Sequence, residues 1–562
     1  MRAALLLPTS PDGGPGAAPP GPRAPGPARR PTYWSAPEPR NLTRGSIMVY
    51  TADVLIVGAG GSGMAAAISA ASSGASVVVL EKCPQVGGST ALSVGSFTAA
   101  NTSYQFRAGV NDSIDLFVED MKTANGPYEA RENQSLRRIL AENAGPTVEW
   151  LSSLGVQFLG PTPEPPYDKP RMHNVLPNSR AYRDALLREC RRLGVTIYTS
   201  MRVDELLRNT DGEIIGAAAN GTRYFGRRGV VLTTGDYSAS TELKAKHVGE
   251  DAARIPPVNP ANTGDGFYLG EKAGGYTLQM DRLYEGLRFA PSKRPDLIKM
   301  LPSVPALNRV MRFVVERLPK NLLAYVIRGA LTSWIGPNVT MYQAGAILVD
   351  STGRRLANED TDSAMARAVA ATGSNTGFMV FDKQVAQKFS AWPNPVSTFP
   401  GVAYAYVQDY KRYRPDVYHR ADTLEELANE IGVDPATLRA TVDRWNQNVQ
   451  DGKDEDHGRQ HLGNGVTQGP FYALGPMNAY ITLADGGLGV DDQLRVVRED
   501  GTPVPGLWAA GSTGQGGLQL LNHGLHIGWA MVSGRIVGRN VAASPHRTDM
   551  RVASTGPATA DA

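Results

Sequence analysis

The chain has 562 residues, 41% of them hydrophobic, enough for a two-domain protein with an ample buried core. Its 57 basic and 54 acidic residues leave a formal charge of +3, so there is no global case for nucleic acid, and no apolar run approaches the length of a membrane span. Cys83 and Cys190 form no CxxC, so iron–sulfur ligation, a redox disulfide and c-type haem attachment are unsupported, no metal site is assigned, and two buried thiols in a reducing cytoplasm are expected.

Residues 1–47 read as a disordered leader, because Pro, Gly and Ala dominate from Pro8 to Pro39 and cannot bury enough apolar surface to offset ordering entropy. Arg29-Arg30 is followed by no apolar h-region, and Met48, directly before the first strand, reads as the natural start. From Val54 an apolar run meets Gly58, Gly60 and Gly63 in GxGxxG spacing. An Ala-rich helix follows, and a second apolar run, from Ser76, ends in Glu81. This is a dinucleotide-binding βαβ unit. Gly58 permits the tight turn, Gly60 lets the backbone approach a pyrophosphate, and Gly63 allows close packing of helix on strand. The helix start, with Gly61 and Ser62, offers free N–H groups to phosphate, and Glu81 can accept ribose hydroxyls. Beyond Glu81-Lys82, the stretch Pro84 to Phe97 contains Gly87-Gly88-Ser89-Thr90 and can wrap the flavin end of the same ligand, which favours FAD over NAD.

Helices are expected over Asn133 to Gly155 and Arg180 to Leu193, with short strands at Val195 to Tyr198, Ile214 to Ala218 and Val230 to Thr233. The pattern changes near Asp281. Between Lys293 and Trp334, apolar residues alternate with Lys299, Arg309, Arg312, Arg317, Lys320 and Arg328. That stretch reads either as two amphipathic helices divided at Pro319 or as a lipophilic entrance resting on an anionic membrane, a peripheral contact through residues 293–334. Glycine-rich segments resume near Phe471 with Val504 to Gly517, followed by a helical stretch from Gly524 to Gly538.

The two glycine-rich ends, with Leu232-Thr-Thr-Gly-Asp-Tyr237 and Thr263-Gly-Asp-Gly266 between them, resemble the FAD-dependent fumarate reductase and 3-ketosteroid dehydrogenase superfamily from about Thr51 to Ala542. The resemblance implies an α/β fold, a Rossmann-like FAD-binding domain interrupted by an α+β cap domain. Its parts are residues 48–281 and 471–542 for the FAD-binding domain, 282–470 for the cap, and 543–562 for a disordered tail. It implies FAD contacts at Gly58, Gly60, Gly61, Ser62, Gly63, Glu81, Lys82, Gly87, Gly88, Ser89, Thr90, Thr234, Gly235, Asp265, Gly511 and Leu525. In this family the C-terminal helix directs its N-terminus at the flavin, so backbone amides near Gly524 would favour the anionic reduced form. No His lies in the Gly87 to Thr90 segment, so the FAD is expected to be non-covalent.

The cationic anchors of fumarate reductases are absent from the matching positions. Tyr342 occupies the place of the proton-donating Arg, and Leu520 to His523 replaces the Arg-containing loop. A buried dicarboxylate without cationic partners is heavily penalised, so the ketosteroid dehydrogenase pattern fits better. Tyr342 would then transfer the proton and the Gly524 N–H would polarise the ketone. Leu520 stands where a ketone-binding Tyr is expected, so His523, then His526, then Tyr104 or Tyr480, are candidate donors. Tyr342 and His526 read equally as core residues, and Asp485 beside Gly486-Gly487 as turn chemistry.

The resulting expectation is an FAD oxidoreductase, of ketosteroid dehydrogenase-like character, acting on a carbon–carbon bond next to a carbonyl of a lipophilic ketone or enone. It would use a separate electron donor or acceptor, since no second GxGxxG follows a strand. A fumarate reductase-like reductase of an enoate, anchored by Arg282, Arg288, Arg354, Arg355 or Arg367, and a non-catalytic flavoprotein remain as alternatives.

Overall fold

Val54, Leu55 and Ile56 are all inaccessible to solvent, as successive residues of a strand are only when the sheet is covered on both faces. A computed structural model describes residues 48–292, 301–334, 336–399 and 402–553. The leader of residues 1–47, positions 293–300 of the basic stretch, and the last part of the expected tail from 554 onward lie outside the described residues.

The central sheet runs parallel in the order Pro503–Ala509, Thr222–Leu232, Val49–Val57, Val77–Glu81 and Thr196–Thr199. Antiparallel additions are Arg495–Val497 at one edge and Val203–Arg208 with Ile214–Ala219 beside Thr222–Leu232. Helix Gly61–Ser72 leaves the first strand and lies against the last helix, Leu525–Ala543. Two glycines permit this: a Cβ at Gly534 would stand 2.4 Å from the Ser62 carbonyl, and one at Gly538 2.3 Å from that of Ala66. Chain ends far apart in sequence thereby close around one cofactor-sized region. The expected helices are Gln134–Ser153 and Arg180–Arg192, and the strand expected at Val230 begins earlier, at Thr222.

The cap is built on a second sheet whose central strand, Phe471–Ala484, pairs antiparallel with Leu283–Phe289, Gly377–Phe381 and Tyr418–Ala421. The long apolar alternation of 471–484 thus pairs with strands of the residues read as the cap. Odd-numbered Glu285, Leu287 and Phe289 turn toward the cap core, where Arg367 of helix Asp362–Ala371 clasps Glu285. A separate cap core gathers Ile347, Val349, Phe378, Leu438 and Trp445.

The basic stretch forms helices Pro305–Arg317 and Lys320–Trp334, divided at Pro319 as expected. The first docks on strands Gln157–Thr162 and Met172–Leu176 of the FAD-binding part, with Arg312 reaching Tyr104 Oη at 3.3 Å and Gln157 Oε1 at 3.4 Å. The second packs on cap elements Ala403–Ala405 and Val407–Tyr413. Residues 544–553, placed in the disordered tail on sequence grounds, are instead tied down: Arg547 N–H donates to Arg227 O at 2.7 Å and Val552 bridges to Asn209. Backbone pairing, which composition does not reveal, holds them.

Candidate active site and cofactor cradle

The turn after strand Val49–Val57 is shaped by contacts that admit no side chain. Gly58 has φ +104°, and a Cβ there would meet the Thr233 carbonyl at 2.4 Å; a Cβ at Gly63 would meet the Gly58 carbonyl at 1.9 Å. Gly60 differs, since nothing stands within 4 Å of its Cβ position. Its backbone faces a cavity of about 450 Å³, which Gly61, Ser62, Glu81, Thr234 and Asp265 also line. Glu81 is buried in the cavity wall, its two oxygens accepting the N–H groups of Ala59 and Cys83 at 2.8 Å each. The free lone pairs of a carboxylate so fixed suit a ribose diol, and the open amides of the helix start suit a pyrophosphate.

Farther along the cavity, Gly87 (φ +122°) caps helix Gly88–Leu92. Thr90 Oγ1 accepts the Gly61 N–H at 3.2 Å, and Ser89 Oγ accepts from Asn259 and Asn262 at 2.9 and 3.0 Å. Lys82 donates to Asp265 and to Thr263 Oγ1 at 2.6 Å each, and Arg202 also reaches Asp265. Burial opposes the Asp265 charge, but Lys82 and Arg202 outweigh it and hold its carboxyl below the ordinary range. Thr234 Oγ1 accepts from Gly266 N–H at 3.0 Å, Gly235 turns at φ +86°, and Gly511 N–H donates to Ser533 Oγ at 2.9 Å. Glycines, hydroxyls and the fixed carboxylates of Glu81 and Asp265 line the length of the cavity and fit a dinucleotide.

Residues 53–297 and 314–525 match the FAD binding domain family. The chain belongs to that family. A probable fumarate reductase of Shewanella frigidimarina is 27% identical over 88% of this chain and 75% of its own. The open conformation of a flavocytochrome c3 fumarate reductase superposes with TM-score 0.65 at 25% identity, covering 88% of this chain and 78% of that one. A 3-ketosteroid-Δ4-(5α)-dehydrogenase from Rhodococcus jostii RHA1 shares the fold, with TM-score 0.56 at 22% identity over 90% of this chain and 99% of its own. The protein is therefore an FAD-dependent oxidoreductase of the superfamily that its motifs resemble.

In this flavoenzyme the C-terminal helix begins at Gly524, whose φ of +81° and crowding against Thr98 N and Oγ1, at 2.7 Å from a Cβ, exclude other residues. Thr98 Oγ1 donates to the His523 carbonyl at 2.7 Å, fixing the helix start on strand Ser96–Thr98. The His523 side chain is 73% exposed, and its Nδ1 pairs with the buried Glu164 through Oε1. That hydrogen bond, stronger than the opposing effect of burial, raises its pKa.

His526 lies on the inner side. Burial, then the charge of Arg282, push its pKa down to about 3 against a hydrogen bond to the Leu520 backbone. Its Nε2 has no hydrogen-bond partner, and its ring meets Tyr284 edge-on at 5.6 Å. Tyr284 Oη donates to Leu520 O at 3.0 Å. Arg282 is held by Asp485, with Nε donating at 2.7 Å, and stacks 4.6 Å from the Tyr128 ring. Asp485, read from sequence as turn chemistry, is thus the buried counter-charge of the cluster, to which Gln515 also donates at 3.0 Å. The loop before the helix is pinned by Glu132, which accepts the Gln519 N–H at 2.9 Å; burial pushes its carboxyl up to about 8.

Tyr342 lies apart from these residues' contacts. It sits in helix Val339–Gln343, fully buried and with a hydroxyl that lacks a partner. Burial, then the charges of Glu359 and Asp362, hold the phenol well above its ordinary pKa. Tyr104 is buried under Arg312 and Arg107, serving the docked helix. Sequence reasoning missed Tyr284 and Arg282–Asp485. The alternation beginning at Leu283 was the signal for the first, but only the fold brings Arg282 beside Asp485.

Proposed function

We propose that this flavoenzyme introduces or saturates a carbon–carbon double bond beside a carbonyl on a lipophilic, ketosteroid-like ketone or enone. Bound FAD supplies the centre that gives or takes hydride. The observation that carries this reading is His526 Nε2, a buried, uncharged and unpartnered ring nitrogen in the first turn of the helix that starts at Gly524. The free amides of that turn and the buried, unpartnered Nη1 of Arg282 offer hydrogen bonds to a carbonyl oxygen, with the Nε2 lone pair of His526 beside them. Arg282, the guanidinium in contact with this group, is paired through Nε and Nη2 with Asp485 while its Nη1 has no partner, so the cluster carries a donor but no net cation and suits a ketone oxygen better than a carboxylate. The proton on the neighbouring carbon is assigned to Tyr342, on the support of its buried, unpartnered hydroxyl. Tyr284→Phe and His526→Gln are each expected to lower enone turnover by about tenfold or more at unchanged flavin content; unchanged turnover in both variants removes the assignment.

The electron partner is a separate carrier, as the name flavocytochrome of one structural relative suggests. Two free thiols, Cys83 and Cys190, suit a reducing cytoplasm. Among the described residues no helix is long and apolar enough to cross a membrane. Helix Pro305–Arg317 does expose Leu307, Val310, Phe313 and Val314 together with Arg309 and Arg317, which supports peripheral contact with an anionic lipid surface. Equal flotation with anionic and neutral liposomes would count against that contact.

A further inference from the structure

Five arginines of the cap could have anchored an anionic substrate, and the fold separates them. Arg282 is committed to Asp485, Arg355 to Glu359 and Asp454, and Arg367 to Glu285 and Asp251. Arg354 is exposed and lines a shallow hollow with Ala436, Thr437 and Arg444. Arg288 is different. It is half-buried on strand Leu283–Phe289, and among the described residues its guanidinium has neither a hydrogen bond nor an ion pair. Burial lowers its pKa, and the group facing it is the Tyr480 phenol, not a carboxylate.

Strand parity fixes the side on which Arg288 stands. Residues 284, 286 and 288 share one face, and Tyr284 on that face touches Leu520 and His526 of the FAD-binding part. Opposite them in register are Tyr480 across from Gly286 and Asn478 across from Arg288, both half-buried. Above Gly286 nothing lies within 4 Å of a Cβ position. The face therefore presents, in order from the helix start, the charge-neutral cluster around Tyr284, an open space, and a cation about 14 Å along the strand from Tyr284 at a rise of about 3.4 Å per residue.

Resting on the reading given under Proposed function, we propose that Arg288 binds a carboxylate carried by the substrate at the end remote from its reacting carbon–carbon bond. The substrate class is then an elongated, lipophilic keto acid: the ketone sits in the neutral cluster of Tyr284 and His526, the apolar body crosses the space over Gly286, and the acid pairs with the guanidinium. A half-buried guanidinium with no internal partner is stabilised by such a ligand, and its fork matches a carboxylate in two parallel hydrogen bonds.

The test uses two matched pairs as probes on the full flavin-loaded protein: a steroid enone bearing a side-chain carboxylate against its methyl ester, and a cyclohexenone benzoic acid against its methyl ester. Binding is read from perturbation of the flavin spectrum, turnover from anaerobic reoxidation. The longer acid is expected to bind about ten- to hundredfold more tightly than its ester, and Arg288→Gln to abolish that ratio. Arg288→Lys keeps the charge without the fork and retains part of the preference, which gives a reading even where the Gln variant does not fold. Turnover of the esters with no preference for either acid overturns this inference while leaving the lipophilic enone reading intact, and so does a preference that survives in Arg288→Gln. Absence of binding and turnover with every probe counts against both.

Discussion

His526 Nε2 stands 3.5 Å from Asp485 Oδ1 and yet stays uncharged, because burial and then the charge of Arg282, which the same carboxylate pairs, hold its pKa down. One aspartate thus serves a cation and faces a neutral imidazole at once. The imidazole is left as a hydrogen-bonding group whose state does not change across the physiological range.

Asp485→Asn would leave the Arg282 charge buried beside a neutral amide. Removing one partner of a buried pair costs about 3–5 kcal/mol. Denaturant unfolding of the flavin-loaded variant is expected to show a loss of that size, and a loss under about 1 kcal/mol would contradict the pairing.

Glu132 predicts a pH dependence of stability. Its folded carboxyl keeps its proton up to about pH 8, whereas the unfolded one ionises near 4.5. The unfolded state therefore binds fewer protons in that window. The stabilisation is complete below the unfolded pKa and is lost as pH rises to about 8. Glu132→Gln, which mimics the protonated acid, should gain stability relative to the parent between about pH 5 and about pH 9. Thermal melts across that range check the direction.

Gly63→Ala would place a methyl 1.9 Å from the Gly58 carbonyl. The strand-to-helix turn must then open, and the variant is expected to purify with little flavin and to lose roughly 3 kcal/mol or more of stability. Full flavin content would show that the close approach is dispensable.

Tyr342→Phe separates a catalytic hydroxyl from a structural ring. Its buried hydroxyl lacks a partner in the fold, so removing it should leave the melting temperature equal or higher. A fall in turnover of about tenfold or more with intact stability supports proton transfer, and unchanged turnover assigns the residue to the cap core.

Legibility in the sequence divides along physical lines. The βαβ unit was readable because Gly58, Gly60, Gly63 and Glu81 carry spacing, turn chemistry and charge in one short stretch, and their structure follows that reading. Helices Gln134–Ser153 and Arg180–Arg192 were readable from periodicity. For strand Phe471–Ala484, alternation tells that a strand exists but not that its partners are Leu283–Phe289, Gly377–Phe381 and Tyr418–Ala421. The partners of Arg282 and Arg367 lie about eighty to two hundred positions away, so no local pattern could separate these two from the unpaired Arg288, whereas Arg355 has one partner, Glu359, four positions on. His523 and His526 are three positions apart on one helix start, and only the fold distinguishes the exposed ring paired with Glu164 from the buried neutral one.

The most direct test of the central claim is anaerobic reoxidation of the chemically reduced, flavin-loaded protein by a panel of lipophilic enones and short dicarboxylic enoates. Rapid return of the oxidised flavin bands with the enones, slowed in Tyr284→Phe and His526→Gln, is the result predicted. Return with the dicarboxylates alone would contradict the account, because the neutral cluster around His526 offers them no free cation.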